Sequence, residues 1–254
     1  MTEVAAPHVP VRARRPHLRR APAFPTWAAK TVMAVTGLVF TSFVVVHMIG
    51  NLKVYQGPEA FNSYAHWLRN AFYPVLPYEG LLWILRVVLL VSVLAHIVCA
   101  LILKARARRA RGGARAPSIR RRRGLGLSVF AGRSMLVTGV VLLLFVIFHV
   151  LDLTTGTSPA APGGFQAATH DTSHAYSNLV DSFSRWPASL IYILAMLALA
   201  LHLLHGLVSA VYDLGIGVGS TARNILAVVA LLVAVVVALG NITIPVAVLT
   251  GLIS

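Results

Sequence analysis

Five stretches of about 20 residues each are almost free of charge, the length that a helix needs to cross the hydrocarbon core of a bilayer. They cover 31–50, 80–103, 134–153, 188–211 and 224–244. The runs are continuous rather than alternating, so they predict helices and not the strands of a barrel. Composition points the same way: 57% of the residues are apolar and 11% are charged, where soluble domains carry about 25%. The first run is not a signal peptide, because a long Pro- and Arg-rich arm precedes it and no small-residue cleavage site follows. The expectation is an all-α membrane protein of five transmembrane helices. Residues 1–26 form a basic arm and 27–254 the membrane domain.

The formal charge of +15 raises nucleic acid as a partner, but its placement argues for a lipid surface. Arginines cluster at Arg12, Arg14, Arg15, Arg19 and Arg20, and again between the second and third runs, from Lys104 through Arg120–Arg123 to Arg133. With five spans these segments share one side, which the positive-inside rule makes the cytoplasm. The N-terminus is then inside and the C-terminus outside, in the cytoplasmic (inner) membrane, with loops 51–79 and 154–187 outward. The basic segments are expected to meet anionic lipid and not nucleic acid. The lone cysteine, Cys99, excludes an internal disulfide, an all-cysteine iron–sulfur site and the C-x-x-C-H attachment of a c-type haem.

Ten histidines are present, and five lie in the apolar runs: His47, His96, His149, His202 and His205. Ionisable side chains inside a bilayer are costly and face a partner or a cofactor. Tracing the chain back and forth places His47 and His149 near the outer face. His96, with His202 and His205, falls toward the inner face. At 1.5 Å rise per residue the two levels differ by about 15 Å. Two histidines facing each other across a bundle supply the axial pair of a haem, and filling both positions favours electron transfer over oxygen chemistry. The first four helices are therefore expected to form a haem-binding bundle.

A repeat supports that reading. Thr36-Gly37 precedes His47 by nine intervening residues, and Thr138-Gly139 precedes His149 by the same spacing. Each threonine projects about 20° from its histidine, some three turns away, at the depth of the other histidines. Each glycine removes a side chain where a flat macrocycle could press between helices. A close helix–helix crossing would use glycine too; the same spacing in both helices favours the macrocycle.

These residues resemble the five-helix dihaem cytochrome b anchor of succinate:quinone oxidoreductases, a family that includes menaquinol:fumarate reductases. The carrying motifs are T-G-x9-H in two helices, H-M-I-G-N-L from His47, the segment G-P-E-A-F-N-S-Y-A-H-W-L from Gly57, and H-L-L-H-G-L-V-S-A from His202. The resemblance spans nearly all the chain from Thr36 onward. It implies two haem b groups, one held by His47 and His149, the other by His96 and His202. Gly206 follows His202 at the family's spacing, which leaves His205 a neighbour of open role. It also implies a flavoprotein and an iron–sulfur subunit docked on the cytoplasmic side, and electron transfer to a membrane quinone, with menaquinone the expected carrier. The chain has no dinucleotide fingerprint or cysteine cluster, so succinate chemistry would belong to the partners. Some fumarate reductases of the family carry a glutamate two residues before the fourth-helix ligand as a proton path. Ala200 stands there, which puts such a path in doubt.

Arg86 lies about one and a half turns inside the second run, where it must snorkel or find a partner; a haem propionate or a quinone would suit it. Residues 59–70 place Phe61, Tyr64, Trp67 and Leu68 at helical spacing, as an amphipathic helix on the outer face does. Tyr64 and His66 are weaker candidates for quinone or propionate contact. His170 and His174 have metal-compatible spacing but no further ligands. Two rival readings are the dihaem cytochrome b of a hydrogenase or formate dehydrogenase, and a transporter using histidines for protons or metal ions. The cytochrome b of bc complexes is disfavoured, because it places its ligands on two helices and not four.

Overall fold

The computed structural model describes residues 24–110, 127–216 and 219–254; the arginine clusters at 12–20 and 120–123 lie outside these ranges. The described residues form seven α-helices and no strand. They are α1 (Thr26–Asn51), α2 (Pro58–Asn70), α3 (Gly80–Ala110), α4 (Leu127–Leu153), α5 (Ala175–Phe183), α6 (Trp186–Asp213) and α7 (Ser220–Leu249). Five of them, α1, α3, α4, α6 and α7, are long and apolar enough to cross a membrane.

Boundaries differ from the apolar runs where polar residues still favour helix. The third helix of the chain, α3, continues past 103 through Lys104, Arg106 and Arg109 to Ala110, because Arg and Lys are good helix formers once outside hydrocarbon. At the other end of the chain α7 runs through Pro245 to Leu249, five residues beyond the apolar reading. Pro245 has no N–H to offer the Asn241 carbonyl, a loss that membrane helices tolerate.

Packing sets up the site. Helix α1 lies against α3, α6 and α7, and α6 lies also against α4 and α7. Among the described residues, neither α1 with α4, nor α3 with α6, nor α3 with α4 makes extensive backbone contact. The packing order is thus α3–α1–α6–α4, with α3 against α1 and α4 against α6 on opposite sides of the α1–α6 contact. The small buried residues Ala29 and Ala34 of α1 and Ala195 and Ala210 of α6 let backbones approach. Met48, Leu203, Ala234 and Val237 close the α1–α6–α7 seam.

One end of the bundle is capped. A short 3₁₀ turn (Leu52–Gln56) leads from α1 into α2. The α2 helix packs on α3 and on α5, and α5 on α4, α6 and α7. Phe61, Leu179, Phe183, Ile244 and Val248 share one buried cluster there. The amphipathic segment at 59–70 is accordingly a helix, with Phe61 buried and Trp67 exposed. Helix α5 has no counterpart in the sequence reading: nine residues are too short for a periodicity to stand out.

Candidate functional site

The four histidines expected to act together sit at matched positions. His47 lies four residues before the last residue of α1 (Asn51) and His149 four before that of α4 (Leu153). His96 lies sixteen residues after the first of α3 (Gly80), and His202 sixteen after that of α6 (Trp186). His47 and His149 face each other near the capped end, ring centres 5.9 Å apart. His96 and His202 do so deeper in the bundle, at 6.4 Å. Each pair spans helices that make no extensive backbone contact among the described residues, α1 with α4 and α3 with α6. All four rings are half-buried.

The hydrogen bonds are all satisfied when Nδ1 of three rings carries the proton. Thr36 Oγ1 lies 2.8 Å from the Val32 carbonyl and 3.1 Å from that of Met33. It is also 3.0 Å from His96 Nδ1. A hydroxyl has one proton; with that proton on its own helix carbonyls, the threonine oxygen accepts from His96 Nδ1–H. The second T-G repeat does the same. Thr138 Oγ1 donates to the carbonyls of Ser134 (3.1 Å) or Met135 (3.2 Å) and accepts from His202 Nδ1–H at 3.1 Å. Near the capped end Tyr192 donates to Asp152 Oδ2 at 2.9 Å and accepts from His149 Nδ1–H at 3.1 Å. In all three rings Nε2 is left with its lone pair, the tautomer of a metal ligand whose other nitrogen is held from behind. The fourth ring, His47, stacks on Phe43 with centres 5.3 Å apart.

Each pair brings two imidazoles together. Among the described residues no group of three or more His, Cys, Asp or Glu could hold a metal ion. Each pair therefore offers two ligands, enough only for a metal that brings its remaining ligands with it. A metal–imidazole bond of about 2 Å on each side, with about 1 Å more from nitrogen to ring centre, puts ring centres roughly 6 Å apart. The two observed separations match. The glycines of the repeat border the deeper pair: a methyl group on Gly37 would lie 3.5 Å from His96 Cε1, and one on Gly139 3.6 Å from His202 Cε1.

The remaining expected residues fall elsewhere. His205 packs on Gly132 of α4, where an added methyl would come within 2.8 Å of its Cε1, and it has no place in either ring pair. Arg86 has protein partners: Glu79 Oε2 at 3.1 Å and the face of Trp83, 4.9 Å from the ring centre. Glu79 also holds Arg69 at 3.2 Å, so α2 and α3 are tied at the capped end. Tyr64 stacks on Trp67 and packs on Gly50, and burial pushes its phenol pKa up. His66 contacts Asn70. His170 stacks on Tyr78 at 4.8 Å, and His174 is the N-cap of α5; among the described residues they belong to no group of three or more possible metal ligands.

Sequence reasoning missed the group behind His149. Asp152 is fully buried and takes Tyr192 and Ser182 (2.6 Å) on Oδ2 and Arg185 (2.8 Å) on Oδ1. The signal was present: an acid inside an apolar run, one turn after a histidine, requires a partner. Compared with known proteins, the chain matches no family model, no curated protein and no solved structure.

Proposed function

We propose that this chain is the membrane-anchor cytochrome b subunit of a succinate:quinone oxidoreductase, in which two haem b groups carry electrons between an iron–sulfur subunit and a membrane quinone. The observation that carries the haem reading is the doubled imidazole pair, each spanning a gap between helices, with the outward nitrogens of three rings held as donors. The succinate and quinone part rests on the T-G-x9-H repeat and the other motifs of the sequence.

In this reading His47 and His149 hold one haem, and His96 and His202 the other. Held by two imidazoles, such a group would supply single-electron transfer and not oxygen chemistry. The protein's own contribution is placement. Thr36, Thr138 and Tyr192 fix the tautomer and direction of the rings, Gly37 and Gly139 keep side chains away from the deeper pair, and the apolar helices exclude water. The clusters of arginine put the uncapped end of the bundle at the cytoplasmic side, where the flavoprotein and iron–sulfur subunits would dock. The capped end then faces outward.

Affinity purification of the full chain from its native membrane tests the assignment. The expected result is co-purification of a flavoprotein and an iron–sulfur subunit, with b-type absorbance bands that succinate reduces. Haem bands with hydrogenase or formate dehydrogenase partners would replace this assignment with the dihaem rival. Absence of haem absorbance in the intact complex would leave the transporter reading.

A further inference from the structure

The two imidazole pairs differ in what stands behind them. Both members of the deeper pair donate to neutral threonine hydroxyls. His149 donates instead to Tyr192, whose own proton goes to Asp152. Every partner of Asp152 is a donor: Tyr192, Ser182 and the Arg185 guanidinium. Asp152 has no exposed surface, and its Oδ1 forms an ion pair with the Arg185 guanidinium at 2.8 Å. The chain from His149 therefore ends on a buried negative charge, counterbalanced by Arg185 on the far oxygen. An acceptor polarised in this way draws the Nδ1 proton outward and makes Nε2 more electron-rich, a larger effect than a neutral hydroxyl produces.

We infer that Tyr192 and Asp152 are positioning residues that make His149 the more electron-rich type of ligand and hold down the reduction potential of the metal group bound there. The inference rests on the haem reading above. Tyr192 reaches the imidazole; Asp152 acts only through Tyr192. The ordinary alternative is that the cluster merely ties α4, α5 and α6 together, which Asp152, Ser182 and Arg185 would do without His149.

Potentiometric titration of the full-length chain in its native complex separates these, with the His47–His149 signal identified by its loss in His149→Ala. In Tyr192→Phe both haems should be retained. The midpoint assigned to the His47–His149 site should rise by about a tenfold change in the ferric-to-ferrous preference, 59 mV for a one-electron couple, and the other midpoint should stay. An unchanged midpoint with both haems present overturns the inference and leaves the haem reading standing. If Tyr192→Phe loses that haem, Asp152→Asn decides, since it keeps the hydroxyl behind His149 and removes only the charge. A raised midpoint in that variant supports the inference; an unchanged midpoint, or loss of the same haem from both variants, overturns it. Wild-type complex without haem fails the haem reading itself.

Discussion

The hydroxyls of Thr36 and Thr138 do two jobs with one oxygen each: they donate along their own helix and accept from an imidazole of another. Replacing either by valine keeps the shape and removes the hydroxyl acceptor from the imidazole. Partners of this kind typically contribute about 10- to 100-fold in metal affinity. Thr36→Val and Thr138→Val should therefore weaken haem retention at the deeper site by that order, and Thr36→Ser should restore it. Haem per chain after extended washing in detergent measures the difference. The neighbouring histidines divide in the same way. His202→Ala should remove low-spin ligation at the deeper site. His205→Ala should keep both haems, because His205 rests on Gly132 and away from the pair. Electron paramagnetic resonance reads both variants, and loss of low-spin signal in His205→Ala alone would reverse the assignment.

Helices α1 and α4 carry the repeat, and their glycines separate a requirement of the polypeptide from a requirement of the guest. A methyl at Gly37 or Gly139 meets the nearest imidazole at ordinary contact distance, so the protein alone accommodates alanine. If a macrocycle fills the gap, Gly37→Ala should lower haem content while the protein still inserts and purifies; equal haem content would show that the glycines serve helix packing. The junction between α5 and α6 makes a prediction of its own through Arg185, the N-cap of α6. Removing the cation that pairs with the fully buried Asp152 leaves a buried charge uncompensated, a defect of about 3 kcal/mol or more. Arg185→Ala should lower the thermal unfolding midpoint in detergent by several degrees, and Arg185→Lys by less. The sequence was most readable at this scale. Five apolar runs are long enough for their character to survive any local detail, and the 59–70 segment shows its face through Phe61 and Trp67. What it concealed is contact between distant residues. The 60-residue link from Thr36 to His96 and the 43-residue link from His149 to Tyr192 depend on which helix faces which. The repeat put the threonines at the right depth without naming what they bind. Arg86 shows the converse, since its nearest partner is Glu79 in the loop, outside the apolar run that made it conspicuous.

In the whole molecule, the packing order α3–α1–α6–α4 leaves the histidine pairs at the two places where backbones stand apart. In the proposed reading a haem would bridge each pair through its two imidazoles. The most direct measurement is the pyridine haemochromogen assay on the full chain purified from its native membrane, normalised to chain concentration. The account predicts two non-covalent haem b per chain, reduced to one in His47→Ala or His149→Ala and again to one in His96→Ala or His202→Ala. A wild-type value near zero in the intact complex would contradict it.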